Sequence, residues 1–165
     1  MNSELQALSA ALGNALRLRG WRVATAESCT GGGVAAAITL TPGSSAWFEY
    51  GFVSYANTAK RALLGVQPST LEHHGAVSEA VVLEMVNGAL KVAEADIAVA
   101  ISGVAGPGGG STDRPVGSVW FAWGVASGER ATALHKFPGD RLAVQQQAVI
   151  RALEGLLDFM QKKPV

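Results

Sequence analysis

Three polar side chains in one stretch of the sequence could act together in hydrolysis. Ser45 lies in a turn before a predicted strand, Tyr55 ends that strand, and Lys60 lies one turn into the next helix. Serine needs a base to take its proton, and with no histidine nearby in sequence lysine is the available base. Such a base needs its pKa lowered from about 10.4 to about 7. The start of a helix favours that direction. The spacing alone fits a solvated Lys60 and a Tyr55 at the edge of the core better than it fits this catalytic set.

Three glycine-rich polar segments adjoin predicted strands, at 27–33, 43–45 and 102–111. Ligand sites in α/β sheets form outside the carboxyl ends of the strands, and two of the segments lie at such ends. Glycines in any one segment could simply make tight turns, but three hydroxyl-rich segments together indicate a shared pocket. The candidate binding residues in these segments are Ser28, Thr30, Gly31, Gly43, Ser44, Ser102 and Gly103.

Three positions, Thr30, Cys29 and Arg141, have more than one interpretation. Thr30 in SCTGGG could help to present backbone N–H groups to an anion, or it could be an ordinary helix N-cap. Cys29 could be a nucleophile at a helix start, although a lone buried cysteine is usually inert. Arg141 begins the last predicted helix and could bind a phosphate or pair with a surface carboxylate. Arg114 is expected to be a solvated residue at the rim.

The elements that must position these residues alternate between helix and strand. Apolar spacing predicts a helix that ends near Gly20, a short helix after Asn57, and helices over about 30–38, 78–94 and 140–159. Strands are predicted at 22–27, 47–55, 96–101, 118–126 and 130–137, with a hairpin at 127–129. This order predicts a single α/β domain over residues 1–165. We expect a three-layer α/β/α sandwich whose mixed, mostly parallel sheet of about five strands ends in a hairpin.

Composition excludes several classes of protein. The chain has 165 residues, 48% hydrophobic and 16% charged, which is typical of one folded domain. Thirteen basic residues balance thirteen acidic ones, so we expect no nucleic-acid or anionic-membrane partner. One cysteine and three histidines argue against a disulfide framework and a structural zinc site. No apolar run is long enough for a signal peptide or a membrane span, so a cytoplasmic location is expected.

Several longer motifs, taken in order, resemble one known family. They are AESCTGG, GSSAWFEYGFVSYAN, HGAVSE, AISGVAGPGGG, PVGSVWFAW and FPGDR. Together they are similar to the C-terminal domain of the competence/damage-inducible CinA proteins. The resemblance extends from about Glu4 to Leu157, and it is more specific than any single motif because the matches follow one another in register.

The resemblance implies hydrolysis of the carboxamide of nicotinamide mononucleotide to nicotinic acid mononucleotide and ammonia, without metal or cofactor. It places a catalytic set on Ser45, Tyr55 and Lys60, with the oxyanion bound by amides around Gly43–Ser45. It also implies that Ser28 and Ser102 line the pocket, that Arg141 contacts the substrate, and that the chain forms a homodimer or a higher homo-oligomer. The alternative is a non-catalytic nucleotide-binding module, or a regulatory module tied to competence or damage. The neutral charge balance argues against direct DNA binding.

Overall fold

The computed structural model describes residues 2–162, which form six α-helices and five strands. The helices are α1 Ser3–Arg19, α2 Gly33–Ile38, α3 Asn57–Leu64, α4 Pro68–His74, α5 Glu79–Ala93 and α6 Arg141–Gln161. The strands are β1 Val23–Glu27, β2 Phe48–Val53, β3 Ile97–Gly103, β4 Ser118–Val125 and β5 Arg130–Lys136. A single 3₁₀ turn, Ser44–Ala46, precedes β2.

The five strands form one open sheet in the order β2-β1-β3-β4-β5. Strand β1 pairs in parallel with β2 and with β3, whereas β3–β4 and β4–β5 are antiparallel. The mixed five-stranded sheet and its final hairpin are therefore confirmed. The sheet is evenly mixed rather than mostly parallel, because two of its four pairings run each way.

Helices cover both faces of this sheet, which confirms the α/β/α layering. All of β1 is buried and so is β3 up to Ser102, since small and β-branched side chains let helices pack closely on both sides. On one face the core is shared with α1, α2 and α6, and on the other chiefly with α5 and the end of α3. Among the described residues, no helix combines the length and apolar character needed to cross a bilayer.

Two helices differ from the sequence expectation. Helix α2 begins at Gly33 rather than near Thr30, because Gly31 (φ 60°) and Gly32 (φ 102°) adopt left-handed backbone conformations that end the preceding turn. Helix α4 was not predicted: its seven residues are too few for a clear apolar period, and Pro68 at its start was its only strong signal.

Candidate active site

The carboxyl ends of β1, β2 and β3 meet at one edge of the sheet and bring distant parts of the chain together. Ser28 directly follows β1, and its amide donates to Ile101 O of β3 (3.0 Å). Ser54 directly follows β2, and its amide and hydroxyl both donate to Glu27 O (2.8 and 3.1 Å). Ser102 lies near the end of β3 and is 1% exposed. Two of the glycine-rich segments therefore converge here, as expected.

Lys60 is the buried cation of this edge. It is the fourth residue of α3, and its side chain is folded back under the strand ends with 1% of its surface exposed. Its Nζ donates to Ser28 Oγ (2.8 Å), Ser54 O (2.9 Å) and Tyr55 O (2.9 Å). Burial lowers the pKa of the Lys60 amine from its ordinary 10.5, because the charged form is poorly solvated there. The alternative of a solvated surface lysine is therefore wrong.

Ser28 is the hydroxyl that this lysine contacts. Its Oγ lies 2.8 Å from Lys60 Nζ and 3.3 Å from Tyr55 O, and the residue is 7% exposed and lines a pocket. Nucleophilic catalysis by serine requires an adjacent base. A lysine with a lowered pKa, within hydrogen-bond distance of Ser28 Oγ, can be that base. From the sequence, Ser28 is expected only as a residue that lines the pocket.

A buried carboxylate holds the turn that presents Ser28. Glu27 is fully buried at the end of β1, and its Oε1 accepts from Thr30 Oγ1 (2.6 Å) and from the amide of Val34 (2.8 Å). Its Oε2 accepts from the amide of Ala35 (3.0 Å). Glu27 thus supplies the capping bonds of α2 that the sequence predicts from Thr30, and the Thr30 hydroxyl is directed at Glu27 rather than at a ligand.

Tyr55 and Arg141 form the exposed side of the site. Arg141 is the first residue of α6, and its guanidinium donates to Tyr55 Oη (2.8 Å) and to Gly106 O (2.8 Å). Tyr55 is 55% exposed, and it contacts Lys60 through its backbone carbonyl rather than through its hydroxyl. Arg141 therefore links three segments at the rim, and the alternative of a pairing with a surface carboxylate is wrong.

These groups surround a pocket of about 320 Å³. Ser28, Lys60 and Ser102 lie at its buried end, whereas Tyr55 and Arg141 lie at its exposed end. Gly103 and the following loop form one wall, and Ala76 and Val77 contribute another part of the lining. Among the described residues that line the pocket there are the guanidinium of Arg141, the buried amine of Lys60 and no carboxylate. The electrostatic environment therefore favours an anionic ligand.

Cys29 lines the same pocket but is not poised as a nucleophile. Burial raises the pKa of its thiol to about 12, and the nearby carboxylate of Glu27 adds to the shift. The reactive thiolate is then almost absent at neutral pH. The hypothesis of a cysteine hydrolase loses its chemical basis here, and the sulfur serves as apolar lining.

Ser45 is not brought to this site. It is exposed in the 3₁₀ turn that precedes β2, and Val23 N donates to Trp47 O (2.8 Å) beside it, at the amino end of β1. Tyr55 and Lys60 follow the opposite end of β2, a strand that spans about 17 Å at roughly 3.3 Å per residue. Ser45 therefore lacks the contact with a base on which its predicted role depended, and Gly43 and Ser44 lie with it outside the pocket.

Three residues of the site were missed in the sequence. The sequence indicates no role for Glu27 beyond the end of a strand and the start of a polar segment. It predicts a helix after Asn57, but Asn57 is the first residue of α3 and lines the pocket. It also predicts that Arg114 is solvated. Arg114 instead donates to Val77 O and His74 O (2.5 and 2.6 Å). Within residues 2–162 no three His, Cys, Asp or Glu side chains are grouped so that they could hold a metal ion.

Comparison with known proteins gives consistent matches along the whole chain. Residues 5–160 match the CinA C-terminal domain. The chain is 59% identical over 155 residues to the nicotinamide-nucleotide amidohydrolase PncC of Escherichia coli K12, covering 94% of each chain. It is 54% identical over 153 residues to the PncC protein of Pseudomonas putida, covering 92% of this chain and 94% of that one.

Solved structures agree with these matches. A crystal structure of a CinA superfamily protein from Klebsiella pneumoniae superposes with a TM-score of 0.92 at 45% sequence identity, covering 98% of this chain and 99% of that one. The competence/damage-inducible protein of Agrobacterium tumefaciens superposes with a TM-score of 0.94 at 40% identity, covering 96% of each chain.

Proposed function

This chain belongs to the CinA C-terminal domain family, and from that membership and the geometry of its pocket we propose that it hydrolyses the carboxamide of nicotinamide mononucleotide. The products are nicotinic acid mononucleotide and ammonia. The observation that carries the proposal is the contact between Lys60 Nζ and Ser28 Oγ, 2.8 Å apart at the buried end of a pocket without carboxylates. Relatives named for the same amide hydrolysis, at 54–59% identity, supply the reaction class.

We assign Ser28, and not Ser45, as the nucleophile. In the neutral Lys60 amine, the nitrogen lone pair can accept the Ser28 proton while the N–H groups remain bonded to the carbonyls of Ser54 and Tyr55. Those two carbonyls fix the amine in position, and burial lowers the pKa of the amine, which shifts it towards the neutral form that can act as a base. Ser28 Oγ then attacks the carboxamide carbon, and the electron pair of the C=O bond moves onto oxygen.

The intermediate collapses by breaking the bond between carbon and nitrogen. The Lys60 ammonium returns the proton to the leaving nitrogen, which departs as ammonia and leaves an ester on Ser28. A water molecule attacks this ester while Lys60 takes one of its protons. The second collapse releases the nicotinate carboxyl group and returns the proton to Ser28, so enzyme and base are both regenerated.

Backbone amides beside Ser28 are the proposed donors to the oxyanion. The amide of Cys29 directly follows the nucleophile, as the oxyanion donor does in other serine hydrolases built on a turn from strand to helix. Gly103 ends the neighbouring strand and lines the same pocket. These amides replace those of Gly43–Ser45, which lie with Ser45 at the other end of β2.

The pocket also suggests how the substrate is oriented. The carboxamide must reach Ser28 at the buried end, so the phosphate is left near the rim. There Arg141 has N–H donors beyond those that bind Tyr55 Oη and Gly106 O. In this arrangement Tyr55 orients Arg141 through its hydroxyl and Lys60 through its carbonyl. We therefore propose Tyr55 as an orienting residue rather than as a proton relay.

Ammonia release from nicotinamide mononucleotide by the purified protein, without added metal, tests the proposal. We expect turnover by the wild type and a fall in kcat of about 10³-fold or more in Ser28→Ala, because the nucleophile is removed. Ser45→Ala is the matched control, and its kcat should stay within about twofold of the wild type.

The possible outcomes separate the function from the assignment of the nucleophile. No ammonia from the wild type would contradict the function itself and favour the non-catalytic nucleotide-binding alternative. A large loss in Ser45→Ala with little loss in Ser28→Ala would restore Ser45. The expected homodimer or higher homo-oligomer and the expected cytoplasmic location stay predictions.

A further inference from the structure

The loop between β3 and β4 has no helix or strand of its own, yet it forms a wall of the pocket. Two arginines hold it from opposite sides. On one side Arg141 of α6 donates to Gly106 O (2.8 Å). On the other side Arg114 is part of the loop and fixes its own turn, in which its amide donates to Ser111 Oγ (3.1 Å) and its carbonyl accepts from the Ser111 amide (2.9 Å).

The Arg114 side chain leaves the loop and reaches the connection between α4 and α5. Its Nε donates to Val77 O (2.5 Å) and its Nη2 donates to His74 O (2.6 Å). His74 is the last residue of α4. The last carbonyls of a helix carry partial negative charge, so a guanidinium bound there stabilises the end of the helix. The planar fork of arginine can reach two carbonyls at once, whereas a lysine offers a single ammonium group.

The segment that Arg114 holds is part of the substrate pocket. Ala76 and Val77 line the same cavity as Ser28 and Lys60. Inside the connection the Ser78 hydroxyl donates to Gly75 O (2.8 Å) and accepts from Val81 N (3.2 Å), which fixes the start of α5. The carbonyl of His74 directly precedes that turn and the carbonyl of Val77 lies within it, so Arg114 binds the segment at two points.

We propose that Arg114 is a positioning residue that sets the width of the substrate pocket by joining the loop to the segment 74–77. The proposal rests on the proposed amide hydrolysis for the identity of the substrate. The Ser28–Lys60 pair is built on β1 and α3 and does not depend on this attachment. Loss of Arg114 should therefore weaken substrate binding more than it slows the chemical steps.

Steady-state kinetics of Arg114→Gln and Arg114→Lys test whether substrate binding is weakened more than the chemical steps are slowed. We expect KM for nicotinamide mononucleotide to rise about tenfold in Arg114→Gln, while kcat stays within about threefold. This variant lacks the charged guanidinium that donates to two carbonyls at once. Arg114→Lys keeps the charge and one bond, so its KM should be intermediate. Arg17→Gln and Arg17→Lys are matched controls, because Arg17 is exposed on α1 and its side chain donates to the neighbouring Asn14 Oδ1 on the same helix, away from the pocket lining.

Hydrogen–deuterium exchange gives a readout that does not need activity. Amides in 75–78 should exchange faster in Arg114→Gln than in the wild type and in Arg17→Gln. Unchanged exchange would overturn the proposal, and so would a lower kcat with unchanged KM, which is the signature of a smaller folded fraction. Faster exchange with unchanged KM would show that the segment does not shape substrate binding and would also overturn it. Absence of wild-type turnover would instead contradict the proposed function alone.

Discussion

The Lys60 amine is the residue on which the chemistry of this site depends. Its side chain is almost fully buried, and its three bonds go to one hydroxyl and two backbone carbonyls, none of which carries a charge. The nearby thiol of Cys29 would favour the charged amine only if it were ionised, and its pKa of about 12 keeps it neutral at working pH. Burial therefore outweighs the opposing influence of Cys29, and the pKa of the Lys60 amine is lowered from 10.5.

The rate should rise with pH as Lys60 loses its proton. Because only the neutral amine can take the Ser28 proton, we expect kcat/KM to increase along a limb that reports one ionisation with a midpoint below 10.5. The profile in Cys29→Ala should keep the same midpoint, whatever its amplitude. A flat profile from pH 6 to pH 9.5, or a midpoint that moves when Cys29 is removed, would contradict the role of Lys60.

The lowered pKa of Lys60 also makes the free energy of unfolding depend on pH. In the unfolded chain the lysine recovers its ordinary pKa, so between the folded pKa and 10.5 the unfolded state binds more protons than the folded state. Stability therefore rises with pH through that range. Lys60→Met should remove this rise, which urea unfolding at several pH values would measure.

Single residues also show what the sequence could and could not predict. Tyr55, Lys60 and Arg141 were identified from residue type and motif, and they do lie together. Ser45 was favoured because it is close to them in sequence, but an extended strand between two residues is the arrangement that separates them most. Ser28 is 32 residues from Lys60, and only the parallel pairing of β1 with β2 brings them into contact.

At the scale of elements, the position of Lys60 depends on how closely α3 packs against α5. Gly88 of α5 faces the end of α3, where a Cβ at this position would lie 2.0 Å from Leu64 O and 2.7 Å from its carbonyl carbon. The obstacle is backbone, which cannot rotate away as a side chain could. A glycine inside a helix costs up to about 1 kcal/mol, and here it is required by the close contact.

Gly88→Ala should therefore move α3 and with it Lys60. We expect a loss of about 1–3 kcal/mol in the free energy of unfolding, despite the better helix propensity of alanine, and a fall in kcat measured on folded protein. Gly155→Ala is the control, because Gly155 of α6 is crowded by the Trp123 ring on the other face of the sheet. It should lower stability and leave kcat close to that of the wild type. Equal kcat in the two variants would contradict the link between α5 and the site.

The elements themselves were mostly predictable, and their ends were less so. The long helices followed from apolar periodicity, and the five strands followed from short runs of apolar, aromatic and β-branched residues. The start of α2 was misplaced because its cap is the buried carboxylate of Glu27, five residues before Gly32, and no local pattern encodes that contact. Strand β3 continues through Gly103, so Ser102 belongs to the strand rather than to the loop.

At the scale of the whole molecule, charge contributes to recognition far more than to stability. The ion pairs Arg22–Glu49 and Arg151–Asp158 each include a partner that is about half or more exposed. Exposed pairs contribute about 0.2–1 kcal/mol and are screened by salt. Most of the stability must come from the two apolar clusters on either face of the sheet.

Salt should therefore affect binding and stability differently. Between 50 and 500 mM NaCl we expect the free energy of unfolding to change by less than about 1 kcal/mol, as measured by urea denaturation. Over the same range KM for nicotinamide mononucleotide should rise about two- to threefold, because its phosphate is attracted by the cationic rim at Arg141. Nicotinamide riboside, which lacks the phosphate, is the control substrate. An equal rise for both substrates would contradict phosphate binding at the rim.

Arginine contacts at Gly106, His74 and Val77 attach the loop between β3 and β4 around the pocket, whereas a backbone ladder fixes Ser28. Reaction and recognition are therefore carried by separable parts of the chain. An engineer could exchange the loop between its two strand ends while leaving the nucleophile and its base in place. Retargeting this scaffold to other amides is then a problem of grafting one segment together with its anchoring arginine, and the catalytic pair need not be redesigned.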